Sequence, residues 1–255
     1  MSDANMRPGT IHLILFTLCL TLTSEVFAGD FPGPPDICRE CVILLHGLGR
    51  SDRSMKKMEV SLRKQEYLTW NRGYPSTEYD LKTLADMALP GAVRYCRENG
   101  ALKIHFVTHS LGGILVGQYL SEHDVPDLGR IVMLAPPNRG SEVADKLKSF
   151  PPYEWFTGPA GQEIGTDPQS VPNTLPPIHA ELGIIAGSST SDPWFSPLIP
   201  GKDDGKVSVE STGLEEMTDF LVVAFGHTFI MNKPEVIRQV VFFLQNGRFD
   251  HGSVD

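Results

Sequence analysis

KIHFVTHSLGGILVGQYL, residues 103–120, decides how the chain is read. An apolar run from Ile104 to Thr108 stops at His109-Ser110-Leu111-Gly112-Gly113, and an apolar, helix-compatible run begins at once. The pattern predicts a strand, a very sharp turn and a helix, with Ser110 at the apex. Such a turn lifts a hydroxyl clear of the sheet and sets it beside the N–H groups that a helix N-terminus leaves without partners. A serine so placed can attack a carbonyl, and the resulting oxyanion has donors waiting for it.

The nucleophile-elbow pattern is G-x-S-x-G, with small residues where the helix passes close to the strand it leaves. Thr108-His109-Ser110-Leu111-Gly112 keeps the serine and the second glycine, and Gly113 follows. Thr108 stands where the pattern has its first glycine. A β-branched residue takes up room there but suits the end of a strand. The competing reading is a plain strand-to-helix turn with an N-capping serine.

Outward from this stretch, strand and helix signals alternate. Cys41 to Leu45 is a continuous apolar run ending in His46-Gly47-Leu48-Gly49, as expected of a strand covered on both faces. Residues 54–66 read as an amphipathic helix and 67–72 as a short strand. Leu81 to Glu98 reads as a helix interrupted or begun anew at Pro90-Gly91. Strands are expected over 130–135, 180–186 and 220–224, and a closing helix over 234–245 with Pro234 at its start. The fold class is therefore α/β, a mainly parallel sheet with helices on both faces. Residues 140–179 break the alternation. They hold seven prolines and a knot of aromatics, Phe150, Tyr153, Trp155 and Phe156, and read as a long irregular insert of the lid or binding-loop kind.

A serine hydroxyl needs a base, and the base an orienting carboxylate. With the nucleophile at an elbow, the acid and then the histidine follow it in sequence, each just beyond a later strand. Of the histidines after Ser110, only His227 directly follows a strand signal, Leu-Val-Val-Ala-Phe-Gly226. Asp192, Asp203 and Asp204 all follow the 180–186 strand. Asp204 is favoured because Asp204-Gly205-Lys206-Val207-Ser208 sets a carboxylate on a turn before an apolar anchor, and Asp192 is the alternative. The two oxyanion donors are expected from the N–H groups of Leu111, just after the serine, and Leu48, on the loop after the first strand. His109 is read as structural, its ring directed away from the base.

The chain has 255 residues, 41% of them hydrophobic, enough for one sizeable core. Residues 1–28 have the shape of a secretory signal: Arg7, an apolar run from Ile11 to Leu22, and Val26-Phe27-Ala28 before Gly29. Their removal takes away Arg7, Asp3 and Glu25 and moves the formal net charge from −9 to −8. A net acidic chain argues against a nucleic-acid partner. Residues 29–40 read as an N-terminal arm, 41–248 as the catalytic domain and 249–255 as a C-terminal tail. Three cysteines remain after the signal, Cys38, Cys41 and Cys96. Cys38 and Cys41 form a CxxC that precedes a strand rather than opening a helix, which speaks against a redox or zinc role. A Cys38–Cys96 disulfide is expected, both residues being placed at one edge of the sheet, with Cys41 the competing partner.

VILLHGLG (42–49), THSLGG (108–113), LAPPNRGSE (134–142), DDGKVS (203–208) and FGHTF (225–229) together resemble the α/β-hydrolase superfamily, and within it bacterial lipases and esterases. The resemblance implies a Ser110–Asp204–His227 triad, ester hydrolysis without a cofactor, and a passage from sheet to lid at LAPPNRGSE. That group often carries a calcium loop with an acidic residue just after the catalytic histidine. Here His227 is followed by Thr-Phe-Ile-Met, with no carboxylate before Glu235, so no metal is expected. The expected activity is that of an exported serine esterase or lipase, periplasmic or secreted. Tyr153, Trp155 and Phe156 would contact an apolar acyl or lipid substrate, with transient contact at a lipid interface. The same three residues serve acyl transfer and thioester or amide cleavage, and a non-catalytic binding protein is the reading from another class.

Overall fold

A computed structural model describes residues 39–190 and 194–253. The signal segment, all but the last two residues of the arm, Cys38 and Asp192 lie outside them. β1 (Arg39–Leu45) leads through a short 3-10 turn into α1 (Lys56–Arg63), then β2 (Leu68–Asn71), α2 (Leu81–Glu98), β3 (Ala101–His109), α3 (Leu111–Glu122) and β4 (Leu128–Leu134). After β4 come three helices without an intervening strand, α4 (Glu142–Leu147), α5 (Pro151–Glu163) and α6 (Val171–Thr174). β5 (Leu182–Gly187), α7 (Val209–Thr212), β6 (Asp219–Val223) and α8 (Pro234–Asn246) complete the order.

The six strands form one parallel sheet in the order β2-β1-β3-β4-β5-β6. The period of two along β1 sorts its side chains. Cys41, Ile43 and Leu45 meet α2 and α3 on one face, while Val42 and Leu44 meet Met58 and Leu62 of α1 and Val240 and Phe243 of α8 on the other. A strand buried on both faces must be apolar at every position, which is why Val42 to Leu45 shows no alternation. The central strands β1 and β3 run side by side, so the loops after them emerge next to each other. That adjacency brings His46-Gly47-Leu48 to Ser110.

Four expectations need correction. The disulfide joins Cys41 to Cys96, not Cys38 to Cys96. The strand already includes Cys41, whose side chain points to the α2 face and is fully buried, as is Cys96 near the end of α2, with the two Cα atoms 5.7 Å apart. Helix α2 runs unbroken through Pro90-Gly91. Packing of Leu84, Leu89 and Val93 into the core, together with the tether at Cys96, outweighs the single backbone hydrogen bond that Pro90 cannot donate.

The 140–179 insert is helical rather than irregular. Three of its seven prolines, Pro151, Pro152 and Pro172, sit where a missing N–H costs nothing, in the first turns of α5 and α6. Helix α5 is broken once, at Gly158 (φ 62°, ψ −167°), where a Cβ would lie 1.8 Å from the Thr77 carbonyl oxygen. Only glycine fits both the angle and the approach. Phe249, placed by sequence in the tail, is fully buried against Phe243, and Asp219 accepts from the Phe249 N–H at 2.7 Å.

The Cys41–Cys96 bond closes a loop of 55 residues. Cys96→Ser is expected to lower unfolding stability by about 2–4 kcal/mol in denaturant titration. A non-reducing digest should yield the Cys41 and Cys96 peptides linked to each other and not to the Cys38 peptide.

Candidate active site

Ser110 sits between β3 and α3 at φ 53° and ψ −122°, a combination that residues with a Cβ seldom adopt. Its N–H donates to the Leu134 carbonyl at 2.9 Å, and its own carbonyl accepts from Gly113 N–H at 2.9 Å. The turn is this sharp because α3 passes directly over β1. A Cβ on Gly112 would lie 2.9 Å from both the Cβ and the carbonyl oxygen of Leu45. Thr108, in the place of the pattern's first glycine, is fully buried. Room for it comes from Gly113, where an added Cβ would press on Met133, Pro136 and the Thr108 hydroxyl at 3.2–3.4 Å.

Beyond β6, His227 opens a 3-10 turn and returns towards the elbow. His227 Nε2 lies 3.0 Å from Ser110 Oγ, and His227 Nδ1 lies 2.8 Å from Asp204 Oδ2. Asp204 is 2% exposed, and its other oxygen accepts from the N–H groups of Lys206 and Val207 at 3.0 and 2.9 Å. Two donors on one oxygen and the imidazole on the other keep the carboxylate satisfied in its ionised form. The backbone of His227 is held as well: its N–H donates to the Asp204 carbonyl at 2.9 Å, and its carbonyl accepts from His109 Nε2 at 3.0 Å.

That last contact corrects the reading of His109. Its ring lies 4.9 Å from the ring of His227 rather than pointing away. Burial, then the positive charges nearby, push its pKa well below the usual histidine value, so it stays neutral, with the proton on Nε2. His46 plays a similar part on the facing loop. It stacks on Tyr74 at 4.0 Å, donates from Nδ1 to the Gly47 carbonyl, and accepts the Tyr74 N–H on Nε2. Gly49 N–H donates to Ser76 Oγ at 3.0 Å. These bonds fix the loop that carries Leu48. Among the described residues the Leu48 N–H has no acceptor, and Leu111, as the first residue of α3, has none within its helix.

The cavity beside Ser110 has a volume of about 590 Å³ and is roofed by the 140–179 insert. Tyr153 and Phe156 line it, whereas Trp155 is 79% exposed and packs edge-on against Phe156 from outside. Burial pushes the Tyr153 phenol up to about 12, so it lines the wall uncharged. Other residues of the site were not found by sequence reasoning. Glu142 Oε1 accepts from Ser208 Oγ at 3.2 Å and Ser211 Oγ at 2.9 Å, which staples the start of the insert to the segment after Asp204. Both partners fall in quoted motifs, GSE and KVS, yet nothing in a linear sequence pairs them. Among the described residues no three His, Cys, Asp or Glu side chains cluster so as to hold a metal ion.

His46, His105 and His109 are all buried with lowered pKa values, desolvation being the first cause in each. The unfolded chain takes up these protons near pH 6.5 and the native state does so only at lower pH. The stability they confer is therefore complete above 6.5 and lost as pH falls below it. Denaturation midpoints should drop between pH 7 and 5, each histidine contributing at most about 1.4 kcal/mol per pH unit. His109→Gln should flatten that slope.

With this geometry in view, solved structures similar to the chain include several hydrolases. The mature form of a lipase from Bacillus licheniformis aligns with TM-score 0.68 and 18% identity, over 83% of this chain and 94% of that one. A phospholipase from Legionella pneumophila aligns with TM-score 0.62 and 15% identity, over 82% of this chain and 59% of that one. An esterase from Pyrococcus furiosus aligns with TM-score 0.55 and 20% identity, over 81% and 82%. No protein-family model matches the chain, and no curated protein does. At such identities the likeness speaks to architecture: the chain has the α/β-hydrolase fold.

Proposed function

We propose that the chain is an exported serine hydrolase that cleaves carboxylic esters through an acyl-enzyme on Ser110. The observation that carries this is the continuous chain from Ser110 Oγ through His227 to Asp204, with separations of 3.0 and 2.8 Å. In that reading His227 Nε2 takes the hydroxyl proton as Ser110 Oγ attacks the ester carbonyl. Asp204 holds Nδ1–H and stabilises the imidazolium. The carbonyl oxygen becomes an oxyanion, bound by the Leu48 and Leu111 N–H groups, each such donor being worth about 3 kcal/mol in the transition state. The tetrahedral species collapses, the C–O bond breaks, and His227 returns the proton to the departing alcohol. Water, deprotonated by His227, then releases the acid.

The apolar walls of the cavity favour an acyl chain or lipid substrate, and the helical insert over it acts as the lid. Phe150 and Phe156 line the cavity and are also exposed, so they offer apolar surface at its mouth for transient contact with a lipid interface. Export is supported by the signal-like residues 1–28 and by the Cys41–Cys96 disulfide, a bond that persists in oxidising compartments. Among the described residues no helix is long and apolar enough to cross a membrane.

The test is hydrolysis of p-nitrophenyl acetate, butyrate and palmitate by the mature protein. Ser110→Ala should reduce kcat by about 10⁴-fold or more, and Asp204→Asn by about 10³–10⁴-fold, with folding unchanged by circular dichroism. Turnover that survives in Ser110→Ala would contradict the assignment. The chain-length profile separates esterase from lipase.

A further inference from the structure

The Leu48 N–H is aimed by residues that do not line the cavity. A trans peptide is rigid and planar, so the Gly47 carbonyl and the Leu48 N–H are opposite ends of one plate. The carbonyl end is gripped twice, by His46 Nδ1–H at 2.9 Å and by the Arg50 N–H at 3.2 Å. Holding that end turns the N–H the other way. Gly47 itself lies against the elbow, where an added Cβ would stand 3.1 Å from the Ser110 Cβ.

The grip comes from the segment between β2 and α2. Tyr74 stacks on the His46 ring, gives its N–H to Nε2 and its hydroxyl to the His46 carbonyl. With Nε2 accepting, the imidazole proton is on Nδ1, where it meets Gly47. Ser76 Oγ accepts the Gly49 N–H at 3.0 Å and pins the next peptide. Leu48 is therefore held on both sides from Tyr74 and Ser76, which are buried and line no part of the cavity. The segment is seated in turn beneath the insert. The Thr77 carbonyl lies against Gly158, at the break in α5, and Glu163, at the end of α5, accepts from the Leu81 N–H at 2.7 Å. The roof of the cavity and the loop after β1 thus share one support.

We infer that Ser76 is a positioning residue for ester cleavage: together with Tyr74 it aims the Leu48 N–H at the oxyanion, and α5 steadies both through Thr77 at Gly158. The inference rests on the proposed ester hydrolysis and concerns its oxyanion step. The substrate carbonyl gains its charge only as Ser110 Oγ bonds to carbon, the π pair moves onto oxygen and the hydroxyl proton passes to His227. A misaimed donor therefore raises the barrier and leaves substrate binding as it was. Hydrogen bonds in line reinforce one another, so His46 Nδ1–H on the Gly47 carbonyl also makes the Leu48 N–H a stronger donor.

The test measures p-nitrophenyl butyrate turnover, and inhibition by an alkyl trifluoromethyl ketone, in wild type, Ser76→Ala and Tyr74→Phe, with folding checked by circular dichroism. Ser110 Oγ adds to the ketone carbon, its proton passes to His227, and the oxygen becomes an oxyanion with no leaving group. The inhibition constant therefore reads the donors without turnover. Loss of a whole donor lowers kcat by about 10²–10³-fold. Ser76→Ala, which loosens one, should lower kcat by about tenfold or more with KM within about twofold, and weaken the ketone by the same factor. The pH dependence of kcat/KM should stay in place, because His227 and Asp204 are untouched. Tyr74→Phe keeps the ring stack and loses only the hydroxyl; it should act in the same direction, and it decides the matter if Ser76→Ala does not fold. Unchanged kcat and ketone affinity in the folded variant would overturn the inference and leave ester hydrolysis standing. A fall in kcat without a matching loss of ketone affinity, or with a shifted pH profile, would overturn it too. If wild type turns over no ester, the functional reading fails and the ketone alone decides. An adduct on Ser110 that weakens in Ser76→Ala would sustain the positioning role, and equal affinity or no adduct would overturn it.

Discussion

A serine held at φ 53° and ψ −122° is the constraint on which the rest of the structure depends. A side chain in that region costs about 1–3 kcal/mol, and it persists only where its surroundings determine it several times over. Here they do. The Ser110 N–H is taken by Leu134 at the end of the neighbouring strand, and its carbonyl by Gly113. Gly112 lets α3 press against Leu45 and the His46 carbonyl, so the helix cannot start further out. β3 lies between β1 and β4, buried along most of its length, and gives that turn a rigid base. Relaxing the serine would mean moving a central strand or the helix packed above it.

The same economy of motion governs its partners. His227 is fixed through its N–H, its carbonyl and its ring, by Asp204, His109 and Asp204 again. Asp204 is in turn gripped by the N–H groups of its own turn, and that turn is tied through Ser208 and Glu142 to the root of the helical insert. The roof over the cavity and the Asp204 carboxylate thus share one hydrogen-bonded staple. Under the proposed function, a group held this way is already in the geometry the reaction needs, so little reorganisation would remain when charge develops.

Much of this was legible in the chain because local rules apply at those places. Val42–Leu45 reads as a doubly covered strand because burial on both faces forbids alternation. The elbow reads from the serine and glycine spacing, because only small residues tolerate the approach of α3 to β1. Asp204 and His227 read from order and from position just past a strand. The illegible parts depend on contacts between distant segments or on packing that overrides propensity. Pro90 continues α2 because the core and Cys96 hold it. The prolines of 140–179 look like breakers in a row, yet those that open α5 and α6 occupy first turns. The choice between Cys38 and Cys41 turns on where the strand begins, a matter of two or three residues. His109 turns towards His227 because β3 ends in a sharp bend that places its ring beside the partner loop, and no spacing rule reveals that.

The central claim is that Ser110 is made nucleophilic by His227 and Asp204. The most direct measurement is covalent labelling of the mature protein with a fluorophosphonate, read by intact mass and peptide mapping. The account predicts one adduct per chain, on Ser110, lost in Ser110→Ala and slowed by orders of magnitude in His227→Ala. A folded protein that forms no adduct, or one that is labelled on a different serine, would contradict it.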